Sequence, residues 1–402
     1  MRKPARLDQA YDDAQPSLAC AELIWSAVAG RARSRKPLPL LESWARCGKP
    51  GTPGSGGKVT PMAAAREPQV EPLSLTVISG GRYGSTVAMK LVSIPANPVP
   101  DNVVTGTLKT PDGVSLRFAR WQLPAGRRGT VCILQGRGEW IEKYYETIRD
   151  LRSRGFAVAT LDWRGQGLSD RLLSDRHKGY VRDFSEYDSD LEIFMREIVL
   201  PDCPPPLFAL GHSTGATVLI RAAYRGRRWF DRMVLTAPLI ELTGMGSTPT
   251  AAMLVRVLRI AGFGTMYMPK GYVGVMQARP FVGNILTSDP VRYARNAAIL
   301  EAEPALALGR PTVAWIDAAL RAMHSLHERS YPSRIRQPIL IVAAGNDAVV
   351  SNSAIEEFAT LLRAGSHLVV VGSKHELLME QDRYRAQFWA AFDAFVPGTA
   401  LF

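Results

Sequence analysis

The pentapeptide Gly211-His212-Ser213-Thr214-Gly215 stands between a short apolar run, residues 206–210, and a segment with helical spacing, residues 216–224. A serine between two glycines at a strand-to-helix turn is the G-x-S-x-G pattern of a nucleophile elbow. The glycines make room for a tight turn that places the hydroxyl above the sheet, at the positive end of the next helix. The pattern predicts Ser213 as a catalytic nucleophile, and the alternative is an ordinary glycine turn.

Short apolar runs alternate with helical segments on both sides of this turn. The runs have the pattern of strands and lie at residues 104–109, 114–121, 130–135, 156–162, 206–210, 233–237, 338–344 and 367–371. Helical spacing occurs at residues 141–154, 184–200, 216–224, 353–363 and 376–395. This alternation predicts an α/β fold, in which an eight-stranded, mostly parallel sheet is flanked by helices and the first two strands are antiparallel.

Two segments interrupt the alternation. Residues 239–334 are helical in character, which predicts a cap inserted between the two parts of a core, residues 89–238 and 335–402. Residues 1–88 contain nine Pro and nine Gly and few apolar runs. We expect them to form a disordered tail, or to be an upstream extension that the cell does not translate.

The composition is that of a globular protein, with 46% hydrophobic and 21% charged residues. No apolar run reaches 18 residues, so the sequence predicts no membrane-spanning helix. The net charge of +12 suits anionic lipid as well as RNA, but no basic stripe with interleaved aromatic residues indicates nucleic-acid binding. Four cysteines without a C-x-x-C pair indicate neither a zinc site nor a redox motif, and they fit a reducing, cytoplasmic compartment.

A serine nucleophile needs a general base, and in this architecture the chain order is serine, acid, histidine. His375 follows the last predicted strand, at the end of a parallel sheet where ligand-facing groups belong. We therefore predict His375 as the base; the alternative is a helix-capping or surface histidine. The other histidines precede the serine, lie in the insertion or open a strand: His177, His212, His324, His327 and His367.

The acid of the triad is expected on the loop after residues 338–344. Asp347 lies there, and it would hold the imidazole of His375 in the correct tautomer and stabilise its protonated form. An aspartate of an Asx turn is one alternative. Glu376 is a second candidate acid, which is disfavoured because it neighbours the histidine in sequence and would point away from it.

The tetrahedral intermediate needs preorganised hydrogen-bond donors. The N–H of Thr214, directly after the nucleophile, is the first predicted donor. The second is the N–H of Arg137, in the loop Gln135-Gly136-Arg137-Gly138-Glu139, where the glycines allow a close approach of backbone to substrate. The alternative for this loop is a glycine-rich entry to a helix.

These motifs together resemble the α/β-hydrolases of the monoacylglycerol lipase and bacterial lysophospholipase group. The resemblance runs from about Met89 to the C-terminus, and Gln135 departs from it, because the group has His there. The insertion is most similar to the bacterial lysophospholipase branch. The motifs that carry the resemblance are Gly211-His212-Ser213-Thr214-Gly215, Gly136-Arg137-Gly138-Glu139, Asp162-Trp163-Arg164-Gly165-Gln166-Gly167-Leu168-Ser169-Asp170, Leu286-Thr287-Ser288-Asp289-Pro290, the Asp347 loop and Lys374-His375-Glu376.

The resemblance implies a helical cap, no metal or other cofactor, and hydrolysis of the carboxylic ester of a monoacyl lipid. We therefore predict a serine esterase, with lysophospholipase as the first choice, that forms an acyl-enzyme on Ser213. A monoacylglycerol lipase, a general carboxylesterase, a peptidase or an acyltransferase on the same scaffold is the alternative. A non-catalytic binding protein is disfavoured by the intact Ser, Asp and His.

A small amphiphilic lipid is the expected partner, with transient contact at a membrane surface and no nucleic acid. Residues 251–263 of the insertion are expected to present an apolar inner face to an acyl chain or to the core. Arg256 and Arg259 would then meet water or an anionic headgroup. The apolar residues of this segment are Met253, Leu254, Val257, Leu258 and Ile260.

Overall fold

The structure, a computed structural model, describes residues 89–122, 128–243, 249–268 and 280–396. The predicted N-terminal tail, residues 1–88, lies outside these ranges, so its expected disorder stays a prediction.

Eight strands form one sheet. They are β1 (Val103–Lys109), β2 (Ser115–Trp121), β3 (Thr130–Leu134), β4 (Ala157–Leu161), β5 (Leu207–His212), β6 (Arg232–Thr236), β7 (Ile339–Ala344) and β8 (Gly365–Val370). Their order is β1-β2-β4-β3-β5-β6-β7-β8. The strand β2 is antiparallel to both neighbours, and all other pairs are parallel. The predicted fold class is confirmed.

Helices connect the strands. They are α1 (Tyr145–Ser153), α2 (Ser185–Phe194), α3 (Thr214–Tyr224), α4 (Pro249–Ile260), α5 (Pro290–Ala302), α6 (Val313–Leu326), α7 (Ser330–Arg334), α8 (Asn352–Thr360) and α9 (Asp382–Phe395). A π-helical segment, Met195–Val199, and a short turn, Leu200–Asp202, continue α2. Short 3₁₀ helices lie at Ile141–Tyr144, Phe263–Thr265, Pro304–Leu306 and Leu377–Met379.

The alternating side chains of the strands build a core on each face of the sheet. On β3, Cys132 and Leu134 belong to one apolar cluster, and Val131 and Ile133 belong to the other. The first cluster includes side chains of α2, α3 and α8, and the second includes side chains of α1 and α9. Because both faces are covered, β3 is buried along its whole length and is apolar after Thr130.

The described part of the segment between β6 and β7 is mainly helical and contains α4 to α7. Its sequence marks where two of these helices begin. Asp289 caps α5, where its side chain accepts hydrogen bonds from the N–H groups of Val291 and Arg292. Thr312 caps α6 by accepting one from the N–H of Trp315. We call residues 239–334 the insertion, and its role as a cap stays a prediction.

The prediction that residues 251–263 present an inner apolar face is wrong for most of their apolar side chains. Met253, Val257 and Ile260 are 69%, 50% and 73% exposed, and Leu254 is exposed as well. The reason is the rotation of α4: the helix packs on the core through Val255 and turns the apolar positions of its other face outward. The insertion therefore presents apolar side chains to solvent.

None of the helices in the described ranges has both the length and the apolar character that a bilayer crossing requires.

Candidate active site

Ser213 occupies a strained turn between β5 and α3. Its φ of 48° and ψ of −111° are disfavoured for a residue with a Cβ, at a typical cost of about 1–3 kcal/mol. Two backbone hydrogen bonds join it to the segment that begins with β6. The Ser213 N–H donates to the carbonyl of Thr236 at 3.0 Å, and the Ser213 carbonyl accepts from Leu239 N–H at 3.2 Å. The segment that begins with β6 therefore fixes the turn that presents the hydroxyl.

Neither glycine of the elbow leaves room for a side chain. A Cβ at Gly215 would lie 2.2 Å from the carbonyl oxygen of Leu134, and one at Gly211 would lie 2.8 Å from the Cα of Ala216. The start of α3 therefore touches the end of β3. This contact brings the loop after β3, which carries the predicted oxyanion donor Arg137, next to the predicted nucleophile.

His375 and Asp347, the predicted base and acid, lie in direct contact. Nδ1 of His375 is 2.8 Å from Oδ2 of Asp347, and Oδ1 accepts hydrogen bonds from the N–H groups of Val349 and Val350 at 2.7 and 3.0 Å. Burial alone would raise the pKa of Asp347, but the bonds from His375 and the two N–H groups outweigh it and lower the pKa. A carboxylate in this position orients the imidazole and leaves Nε2 for the serine side.

The loops after β7 and β8 bring these two residues together. The strands are parallel neighbours, so their carboxyl ends lie side by side. Gly345 makes the approach possible, because a Cβ there would be 2.8 Å from the Cα of Val371. The N–H of Asn346 then donates to the carbonyl of Ser373 at 2.8 Å. The imidazole of His375 lies against that of His212, the residue before Ser213, with ring centroids 4.8 Å apart.

Glu139 and Gln166 shape the predicted oxyanion loop. The N–H of Gly136 donates to Oε2 of Glu139 at 2.5 Å, and that of Gly138 donates to Oε1 of Gln166 at 3.2 Å. These bonds flank the N–H of Arg137, the second predicted donor. Thr214 is the first residue of α3, where N–H groups have no acceptor within the helix. The arrangement supports both donors, whose role stays a prediction.

The oxyanion loop has several hydrogen bonds although it begins with Gln135, where the resembled group has histidine. Its Nε2 is 3.5 Å from the hydroxyl of Thr160, and its carbonyl accepts a hydrogen bond from Nε1 of Trp163 at 2.9 Å. Gln166 also donates to the carbonyl of Gly136 at 2.8 Å. Side chains of the Trp163 segment thus hold the loop through its backbone carbonyls, while the buried Oε1 of Gln135 has no hydrogen-bond partner among the described residues.

The segment Asp162-Trp163-Arg164-Gly165-Gln166-Gly167-Leu168-Ser169-Asp170, which the sequence analysis used only for the resemblance, is folded around one buried carboxylate. Asp162 accepts hydrogen bonds from Nε of Arg117 at 2.7 Å and from the N–H groups of Ile141 and Leu168 at 3.0 and 2.8 Å. A Cβ at Gly167 would collide with this carboxyl group at 2.1 Å. The folded segment carries Gln166 and Trp163 to the oxyanion loop.

Lys143 is a residue of the site that the sequence analysis missed. Its Nζ lies 2.6 Å from Oε1 of Glu139 and 2.7 Å from Oε1 of Glu376, and all three side chains are buried. Burial would raise the pKa of Glu139, but the charge of Lys143 outweighs it and holds the pKa at about 2. Burial dominates at Glu376 and raises its pKa. The i, i+4 spacing of Glu139 and Lys143 was the available signal.

The geometry disfavours Glu376 as the acid and agrees with the exclusion of His212 as the base. Glu376, the second candidate acid, is bonded to Lys143, whereas Asp347 holds the imidazole of His375. Burial lowers the pKa of His212 to about 4, and its Nδ1 is 3.1 Å from the hydroxyl of Thr236. A neutral His212 in this bond has a structural role in the elbow.

Comparison with known proteins gives three consistent similarities. A family described as serine aminopeptidase, S33, matches residues 125–382. Lysophospholipase L2 of Escherichia coli (strain K12) is 32% identical over 285 residues, which are 68% of this chain and 82% of that protein. A probable lysophospholipase L2 of Haemophilus influenzae is 27% identical over 258 residues, covering 64% of this chain and 80% of that protein.

Solved structures show the same fold. A soluble variant of monoglyceride lipase from Saccharomyces cerevisiae, in complex with a substrate analog, superposes with a TM-score of 0.60 at 19% identity. The match covers 76% of this chain and 99% of that one.

Replacing the acid tests the predicted triad. We expect Asp347→Asn to lower kcat by about 10⁴, by analogy with the same change in serine proteases, because an amide favours the wrong tautomer of His375. Thermal unfolding should show that the variant is folded. Hydrolysis at the wild-type rate would assign the acid role to another residue.

Replacing Lys143 tests the buried ionic network. We expect Lys143→Met to lower the free energy of unfolding by about 3–5 kcal/mol at about pH 8, because two buried carboxylates lose their cation. In the folded variant, the pKa of a buried carboxylate lies above the pKa that the same group has in the unfolded chain. The folded state then binds more protons, so the loss should shrink between about pH 8 and about pH 5. Urea unfolding at several pH values measures both effects.

Lys90→Met is the matched control for this experiment. Lys90 is 72% exposed and lies 3.6 Å from Glu303, so its replacement should change the free energy of unfolding by no more than about 0.5 kcal/mol. A loss in Lys143→Met that is equally small, or that does not depend on pH, would contradict the role given to the network.

Proposed function

The chain belongs to the serine aminopeptidase, S33, family of α/β-hydrolases, and we propose that it hydrolyses the single carboxylic ester of a lysophospholipid. The resemblance expected from its motifs is confirmed at the level of the group. The observation that carries the chemistry is the bond between His375 and the buried carboxylate of Asp347, beside the strained turn of Ser213. The substrate class is supported by the lysophospholipase L2 relatives, which this chain covers over most of their length.

The proposed reaction follows from the roles of these groups. Oγ of Ser213 attacks the ester carbonyl carbon while Nε2 of His375 takes the hydroxyl proton, and the N–H groups of Thr214 and Arg137 stabilise the oxyanion. The ester C–O bond then breaks, and His375 returns the proton to the leaving glycerol oxygen. Water attacks the acyl-enzyme in the same way, with His375 as base, and releases the fatty acid and a free Ser213.

A monoacylglycerol lipase and a general carboxylesterase remain the alternatives on this scaffold. Both would use the same residues, because the catalytic groups act on the ester and not on the rest of the substrate. The family description also names an aminopeptidase. These alternatives differ in the acyl chain and in the leaving group, so a substrate series separates them.

Transient contact with a membrane surface is part of the proposal. The outward apolar side chains of α4, Met253, Val257 and Ile260, share the helix with the half-exposed Arg256. A helix with exposed apolar residues and a cation suits the boundary of an anionic bilayer. Val282 is also exposed on the insertion. This surface would let the enzyme take monoacyl lipids directly from a membrane.

Acyl length tests the proposed substrate. We expect kcat/KM to rise with acyl length from about C4 to about C14, because each buried CH₂ contributes ~0.8 kcal/mol. The series should contain lysophosphatidylglycerols, monoacylglycerols, p-nitrophenyl esters and aminoacyl amides, all below their critical micelle concentrations. Products are identified by mass, and Ser213→Ala supplies the background rate.

A flat profile, or a preference for the shortest esters, would replace the lysophospholipase proposal with a general carboxylesterase. Fast cleavage of the amides alone would favour a peptidase. The same substrates presented in anionic vesicles test the membrane contact. There the triple variant Met253→Gln, Val257→Gln, Ile260→Gln should lose activity, while its activity on monomeric substrate stays that of the wild type.

A further inference from the structure

The side chain of Arg137 extends from the predicted oxyanion loop to the insertion. Its Nη2 donates to the carbonyl of Gly309 at 2.8 Å, and its guanidinium carbon lies 5.1 Å from the ring centroid of Trp315. Its Nε is buried and has no hydrogen-bond partner among the described residues, and none of their carboxylates lies within ion-pair distance of the guanidinium. Burial lowers the pKa of Arg137 to about 10. A buried cation without a carboxylate suits an anionic ligand.

Two further cations lie at the ring of Tyr267, on the same side of the insertion. Nζ of Lys178 and the guanidinium carbon of Arg310 are each 5.3 Å from its centroid. The hydroxyl of Tyr267 donates to Oδ2 of Asp175 at 3.1 Å. We call Arg137, Lys178 and Arg310 the basic cluster, and Asp175 lies beside it through its bond with Tyr267.

Two glycines join Arg137 to the Tyr267 side of the basic cluster. A Cβ at Gly179, next to Lys178, would lie 2.6 Å from Nη2 of Arg137. A Cβ at Gly309, next to Arg310, would lie 3.7 Å from the hydroxyl of Tyr267. The N–H of Gly309 also donates to the carbonyl of His177 at 2.7 Å. The three cations therefore lie on segments that are fastened to one another.

The basic cluster begins at the reaction centre. Arg137 follows Gly136, where a Cβ would lie 2.9 Å from Cδ2 of His212, the residue before Ser213. An ester held by the N–H of Arg137 would have the guanidinium of the same residue nearby. In a lysophospholipid the phosphate is attached to the glycerol that carries the ester, so it lies a few bonds from the reacting carbonyl.

We infer that the basic cluster binds the headgroup phosphate of the substrate and thereby selects lysophospholipids over monoacylglycerols. This inference rests on the proposed function and deepens it. Guanidinium and ammonium groups bind phosphate oxygens with charge-assisted hydrogen bonds. A monoacylglycerol has the same acyl ester but no anion, so it would leave the cluster unfilled.

The test compares two substrates with one acyl chain, 1-acyl lysophosphatidylglycerol and 1-monoacylglycerol. We expect the ratio of their kcat/KM values to favour the phospholipid in the wild type. It should fall by about tenfold or more in the double variant Lys178→Gln, Arg310→Gln, since charge-assisted hydrogen bonds to the phosphate are lost. Arg363→Gln, which removes an exposed charge on the connection that enters β8, should leave the ratio within about twofold.

Binding to the Ser213→Ala protein provides a second readout that needs no turnover. Glycerol 3-phosphate should bind to Ser213→Ala at least about tenfold more tightly than to the protein that also carries Lys178→Gln and Arg310→Gln. Glycerol should show no such difference. If inorganic phosphate binds as tightly as glycerol 3-phosphate, the cluster would be a site for a free anion and not for a headgroup. An unchanged substrate ratio together with unchanged glycerol 3-phosphate binding would overturn the inference. Absence of hydrolysis of both lipids, with the binding difference intact, would contradict the proposed function alone.

Discussion

The ammonium group of Lys143, buried between Glu139 and Glu376, is the interaction on which the candidate site depends. Glu139 bonds the N–H of Gly136 in the predicted oxyanion loop, and Glu376 is adjacent to the predicted base, His375. Three charges that cannot reach water must keep their distances, because any separation leaves an uncompensated charge in the interior. The network therefore holds the oxyanion loop and the histidine loop in one arrangement.

The same loops support the insertion. Oε1 of the fully buried Glu380 accepts hydrogen bonds from the N–H groups of Lys374 and Ser288 at 2.8 and 3.0 Å. Nζ of Lys374 donates to the carbonyl of Asn284 at 2.6 Å. On the other side, the Arg137 side chain bonds Gly309. Both sides of the predicted triad thus have polar contacts with the insertion, which couples the shape of a substrate site to the groups that would react.

The strand pattern and the elbow were predictable because they depend on local chemistry. Apolar runs indicate strands and glycine-bounded turns indicate tight turns, so the eight strands were predictable. The proximity of His375 and Asp347 was predictable because each follows the end of a parallel strand. The contacts of Lys143 and Arg137 depend on residues far along the chain, which spacing cannot reveal. The orientation of α4 was misjudged for a related reason. Its apolar residues cover most of the helix circumference, so the sequence alone does not decide which face Val255 and its neighbours bury.

The central claim is that Ser213 is a nucleophile activated by His375, and covalent labelling tests it most directly. The protein is treated with a long-chain fluorophosphonate, digested and mapped by mass spectrometry. We expect a single phosphonylated residue, Ser213, with labelling slowed by about 10³ or more in His375→Ala, since a serine without its base is a poor nucleophile. Labelling of another serine, or labelling of Ser213 at an unchanged rate in His375→Ala, would contradict it.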